Sequence, residues 1–217
     1  MKKSRIEIPK YTLGEELISA ISHGVGALLG AAALVLCLIK AIGNNDTLGI
    51  VCSAVYGFTL IVLYTMSTMY HSLAVNRAKK VFRVIDHCSI YLLIAGTYTP
   101  YSLITLNGWV GYVIFGIVWA TAIVGITFSA IDLKKFRAFA MTAYIAMGWV
   151  IIFAFKPLLD AIDPAGMWLL LGGGIAYTAG VIPFAIGKKR KYMHSLFHFF
   201  VLAGSILHFF SIYLYVL

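Results

Sequence analysis

Seven continuous apolar runs, joined by short polar connections, dominate this chain. They fall at residues 16–39, 49–75, 84–106, 109–131, 138–155, 166–186 and 192–217. A run of about 20 apolar residues is what an α-helix needs to cross the hydrocarbon core of a bilayer. Strands of a membrane barrel would alternate with period two over about 10 residues, and these runs do not. The expected fold is therefore an all-α membrane protein, a seven-transmembrane helix bundle forming one domain over 1–217. Composition agrees, since only 12% of the 217 residues are charged and the mean hydropathy is +0.93. A soluble domain carries about 25% charged residues. Pro100 and Pro183 fall inside runs, where neighbouring helices can re-satisfy the backbone.

The basic residues set an expected orientation. With seven spans, the N-terminus (Lys2, Lys3, Arg5, Lys10) shares one side with Arg77, Lys79, Lys80 and Arg83, then Lys134, Lys135 and Arg137, then Lys188, Lys189, Arg190 and Lys191. That side holds 15 of the 17 basic residues, leaving Lys40 and Lys156 for the other. Positive charge marks the cytoplasmic face, so the N-terminus is expected inside and the C-terminus outside, in a multi-pass protein of the cell membrane. The net charge of +9 then needs no nucleic-acid partner, because topology and anionic lipid contact account for it. The basic start resembles a secretory leader, but Glu7, Glu15 and Glu16 interrupt it and the apolar run is too long, so a retained first span is expected. Cys37, Cys52 and Cys88 lie in apolar runs without a Cys-x-x-Cys pair, and no disulfide framework is expected.

Ionisable groups inside hydrocarbon are costly and ask for partners. All six histidines fall within the runs: His23, His71, His87, His194, His198 and His208. A rise of about 1.5 Å per residue from the nearest basic loop gives their depths. His71 and His198 sit about 9–10 Å in, and Asp86 and His194 about 4–5 Å in. Three helices thus deliver His71, Asp86 and the His194-x-x-x-His198 pair to one shallow layer. His194 and His198, at i and i+4, stack on one helix face, as do Ser67 and His71. Three imidazoles with a water in the fourth place form an open zinc site, which makes Zn2+ the expected cofactor. Asp86 would hold or orient that water, and would be the base for any hydrolysis, since His194-Ser195-Leu196-Phe197-His198 lacks the glutamate of a peptidase helix. Blander roles stand beside these. The two α-helical histidines could snorkel to the interface, Asp86 could cap a first turn, and Ser67 could bond back to a helix carbonyl. His23 lies deep enough to stand behind the ligands. His87 points about 100° away from Asp86 on the helix, and His208 lies about 25 Å from the basic loop, so both are expected to be structural.

These residues carry a resemblance. Ser67-x-x-x-His71 within YTMSTMYHS, Asp86-His87, His194-x-x-x-His198 and the opening Gly14-Glu15-Glu16 with His23-Gly24 resemble the bacterial hemolysin III family, related to the progestin and adipoQ receptors. The likeness covers essentially the whole chain. It implies seven spans with the N-terminus inside. It also implies zinc on His71, His194 and His198, with Asp86 acting through water and Ser67 beside it. It further implies one of several activities: metal-dependent hydrolysis of membrane-lipid amides or esters in membrane homeostasis, cytolysis by pore formation, or sensing and reception. An enzyme would take a lipid substrate entering sideways between spans. A pore would need a homo-oligomer, since the spans leave no wide polar channel. A sensor would use zinc to clamp the second, third and seventh spans. A retinal pump is disfavoured because residues 192–217 contain no lysine for a Schiff base.

Overall fold

Lipid offers the backbone no hydrogen-bond partners, so each apolar run must satisfy its own N–H and C=O groups. It does so by coiling. The computed structural model describes residues 8–187 and 189–217. The readings placed on Lys2, Lys3, Arg5, Glu7 and Lys188 lie outside the described residues. The described chain forms α1 (Leu13–Gly43), α2 (Thr47–Ser72), α3 (Arg77–Pro100), α4 (Gly108–Ile131), α5 (Arg137–Trp149), α6 (Phe155–Ala161), α7 (Pro164–Ile186) and α8 (Met193–Tyr215). A π-helical stretch, Tyr101–Leu106, continues α3 beyond Pro100, and a 3-10 stretch, Val150–Ala154, joins α5 to α6. No strand occurs among the described residues.

Six of these segments are long and apolar enough to cross a membrane: α1, α2, α4, the α5–α6 stretch Arg137–Ala161, α7 and α8. The exception is α3, whose first half carries Arg77, Lys79, Lys80, Arg83 and Asp86. It also begins at Arg77, well before the expected 84. Asn76 explains the early start, because its side-chain oxygen accepts from the Lys79 backbone N–H at 2.9 Å and caps the first turn. Lys79 is thereby moved out of a loop and into a buried turn.

The large apolar side chains split between two solvents. Tyr56, Leu60, Leu63, Tyr91, Val118 and Ile212 are buried between helices. Leu28, Phe58, Ile123, Phe153 and Ile182 point outward, as a lipid-facing surface requires. The helices pack in a ring. α1 lies extensively on α2, α2 on α3, α3 on α4 and α7 on α8; α1 touches α8, and α4 touches α5. Where α5 faces α7 the contact is slight, which leaves a thin seam bridged by Trp149 Nε1 donating to Thr178 Oγ1 at 3.0 Å.

Lipid tails are as apolar as leucine, so close van der Waals fit must hold helices together there. Gly57 of α2 meets α1 so closely that a β-carbon built on it would stand 2.6 Å from Leu34 Cβ and 2.8 Å from Leu34 Cα. Gly57→Val therefore has to push α1 away from α2. Overpacking of this kind costs about 1–3 kcal/mol. The variant should show a thermal transition several degrees below wild type in detergent, and an unchanged transition would refute this account of the α1–α2 contact.

Candidate metal centre

The end of α2 and the start of α8 lie at the same end of the ring. α8 begins after Tyr192, which adopts a left-handed turn with φ of 63°. The Tyr192 N–H donates to Glu15 Oε1 at 2.7 Å. The other oxygen of Glu15 accepts from Thr12 N and Thr12 Oγ1, both at 2.8 Å, in a capping box that starts α1. One carboxylate thus fixes the starts of α1 and α8 together. Ser195 adds a second tie, with its hydroxyl 3.1 Å from the Glu15 carbonyl and 3.2 Å from Ser19 Oγ.

This anchoring brings the predicted imidazoles together. His71, His194 and His198 are all buried, and one ligand atom from each lies within 4.8 Å of the others. The ring centroids are 5.3 Å apart for His71–His194 and 4.8 Å for His71–His198. Nε2 of His194 and Nε2 of His198 stand 3.2 Å apart. Zinc–imidazole bonds of about 2.0–2.1 Å would separate two ligand nitrogens of a tetrahedral site by roughly 3.3 Å. A shared hydrogen between the two rings would also suit this distance, but it leaves Nε2 of His71 buried with no partner. A shared cation accounts for all three nitrogens. The donor set therefore fits a metal ion, and three imidazoles suit zinc among others.

Asp86 and Ser67 line one small cavity, of about 350 Å³ counting the space open at its mouth, with His194, His198, His23 and His87. Ser67 is fully buried, while the Asp86 side chain keeps 14% of its surface exposed. Asp86 Oδ2 lies 3.6 Å from His87 Nδ1, beyond ordinary hydrogen-bond reach. His23 is also brought in. Its ring centroid is 3.9 Å from that of His198, and neither of its nitrogens has a partner. His208 stays apart, as expected, with Nε2 3.0 Å from the Leu170 carbonyl oxygen.

Three neighbours of the cluster were missed by sequence reasoning. The Tyr11 ring stacks on His194 with centroids 4.7 Å apart and an interplanar angle of 10°. Burial pushes its phenol pKa up. Glu16 Oε2 lies 2.6 Å from His71 Nδ1, and Glu16 Oε1 accepts from Lys79 Nζ at 2.7 Å. A signal for Glu16 existed, because it stands seven residues before His23 and so shares that face of α1. The signal for Lys79 was the Asn76 cap.

Beyond the small cavity lies a larger apolar one of about 1250 Å³, counting the space open at its mouth. α3, α5, α7 and α8 form its walls. Leu63, Ile90, Phe184, Phe197 and Val201 line both cavities, so the two are neighbours through one shared wall. Ile145 of α5 and Thr178 of α7 line the larger cavity and are also exposed, which places its mouth at the thin α5–α7 seam.

Residues 11–209 match the profile of the family described as Haemolysin-III related. The chain is 43% identical over 203 residues to Hemolysin-3 of Bacillus cereus, covering 94% of this chain and 92% of the relative. It is 41% identical over 205 residues to the Hemolysin-3 homolog of Bacillus subtilis strain 168, covering 94% and 96%. A more distant likeness, 26% identity over 171 residues, links it to the human monocyte to macrophage differentiation factor, covering 74% of this chain and 68% of that one. No solved structure matches it significantly. A match over nearly the whole length, with several apolar helices able to cross a bilayer, makes this chain a multi-pass membrane protein that belongs to the haemolysin-III family.

Proposed function

We propose that this chain is a seven-span zinc protein that hydrolyses an amide or ester bond of a membrane lipid, with its N-terminus and zinc site on the cytoplasmic side. One observation carries the reading. A buried three-histidine cluster sits beside an apolar cavity whose mouth faces the lipid between α5 and α7. A lipid chain entering sideways would lie among Leu93, Ile94, Leu170 and Val181, with its polar linkage toward Phe197 and His198.

His71, His194 and His198 would hold the metal, and zinc bound there would supply Lewis acidity to a substrate carbonyl. The remaining work falls to side chains of this chain. Asp86 is the one carboxylate lining the small cavity among the described residues, and it would take a proton from attacking water and return it to the leaving group. Ser67 offers a hydroxyl on the same wall to orient the scissile group. The apolar walls exclude bulk water and strengthen each polar contact within.

The span that would bring the six to seven is α3, third in chain order, with its π-helical continuation. Its polar start is compatible with a membrane because Lys79 is paired inside the protein and Asp86 faces the cavity. A cysteine labelling pair tests the topology. Gly43→Cys, where a β-carbon meets nothing, should react with an impermeant maleimide on intact spheroplasts, and Lys189→Cys only after lysis. The reverse pattern, or reaction of both on one side, would refute seven spans with a cytoplasmic N-terminus.

The activity is tested by turnover of ceramide-like amides and ester lipids in nanodiscs. Asp86→Asn should lower kcat by about 10²–10⁴-fold while metal content stays at the wild-type level. Equal, metal-independent turnover by both proteins, or no turnover on either lipid class, would contradict it. The hemolysin name of the Bacillus relatives supports a second reading, pore formation by oligomers. Dye release from liposomes that persists after zinc is stripped would favour that reading over hydrolysis.

A further inference from the structure

Two ionisable side chains beside the cluster take no part in the proposed chemistry. The Lys79 side chain is only 2% exposed, and that of Glu16 only 16%. A buried lysine next to a half-buried carboxylate reads first as a tie between α1 and α3. The geometry goes further, because the two Glu16 oxygens face different partners. Oε1 accepts from Lys79 Nζ, and Oε2 lies 2.6 Å from Nδ1 of His71, whose side chain is fully buried. A carboxylate can only accept, so in the neutral ring the hydrogen sits on Nδ1. The lone pair is then on Nε2, a buried nitrogen without a partner, and with Nδ1 committed to Glu16 it is the atom left to serve the cluster. Lys79 is itself held in place, donating to the Leu73 carbonyl at 2.9 Å and standing 5.2 Å from the Tyr70 ring centroid.

We propose that Glu16 is a positioning residue for the metal ligand His71, and that Lys79 moderates how strongly it acts. This rests on the three-histidine site binding metal, as proposed above. Glu16 fixes the tautomer and rotation of the ring and raises the basicity of Nε2, in the manner of carboxylates behind ligating histidines generally. Lys79 withdraws part of that negative charge and so loosens the hold on the cation. The start of α3 is coupled in this way to the affinity of a site whose ligands lie on α2 and α8. Metal affinity, rather than chemistry, is what the relay sets.

A tie and a relay differ in the sign of one substitution. If Glu16 and Lys79 are merely an ion pair, Glu16→Gln and Lys79→Met break the same contact and should harm zinc binding alike. If they form a relay, the two act in opposite directions. The experiment measures zinc Kd by competition with a chromophoric chelator on the full chain in detergent. The visible bands of the cobalt(II)-loaded protein are recorded beside it. Glu16→Gln should weaken zinc by about 10–100-fold and shift the cobalt bands. Glu16→Asp, which keeps the charge but draws it back by about 1.5 Å, should weaken zinc less than Glu16→Gln does. Lys79→Met should bind zinc as tightly as wild type or more tightly. Equal weakening by Glu16→Gln and Lys79→Met overturns the relay, and so does wild-type affinity with unshifted bands in Glu16→Gln. If Glu16→Gln does not fold, weakening of zinc by Lys79→Met is enough to overturn it. Wild-type protein that takes up no more zinc than His71→Ala overturns the metal site and the relay together, whereas tight zinc in wild type with an unaffected Glu16→Gln removes the relay alone.

Discussion

A polar group taken into hydrocarbon keeps no water, and the arrangement of this bundle follows from where its polar groups find partners instead. Glu15 answers the first amides of α1 and the Tyr192 N–H at the start of α8. Glu16 answers His71 and Lys79. Tyr64 and Tyr177 converge on Ser205, each with its hydroxyl 2.7 Å from Oγ. Each of these joins helices that van der Waals contact alone would leave free to slide, and an unsatisfied alternative in lipid costs several kcal/mol. Buried polar atoms without partners occur along the bundle, at Ser53, Tyr56, Tyr101 and Ser102 for example, but the unpartnered imidazole nitrogens gather mainly near one end. His23, His71 and His198 all keep buried nitrogens without partners there. Of these, the bare Nε2 of His71, in the cluster with the close Nε2 pair of His194 and His198, is best explained by a cation.

Much of this was legible in the sequence, and the reasons are physical. Apolar runs near 20 residues have one stable form in a bilayer, so the helical architecture followed from their length. The depth of His71, His194 and His198 could be counted from basic loops because helices rise evenly, and the structure does gather those three rings. The free cysteines also match expectation. Lys79 shows where counting stopped. It was grouped with surface charges that mark topology, yet the Asn76 cap starts α3 early and carries Lys79 inward. In the sequence Glu16 stands out only as a break in a leader-like start and as part of the opening Gly14-Glu15-Glu16, because its partners lie 55 and 63 positions away. The 3-10 stretch at Val150–Ala154 and the π-helical stretch after Pro100 had no periodic signature. The large cavity had none either, since it depends on how loosely α5 meets α7.

The cavity and the histidine cluster give the account its direction. A metal site closed on every side would suit a structural clamp. Here the cluster shares a wall with an apolar space that reaches the lipid-facing surface, and Asp86 and Ser67 stand on the wall of the adjoining small cavity. The proposed chemistry on a molecule already dissolved in the bilayer rests on that arrangement.

All of it depends on one cation shared by imidazoles from α2 and α8. X-ray absorption at the zinc edge, on protein purified without chelators, addresses that directly. The account predicts about one zinc per chain, with light-atom neighbours at about 2.0–2.1 Å, an imidazole scattering pattern and no sulfur. Zinc far below one per chain, or a shell containing sulfur at about 2.3 Å, would contradict it.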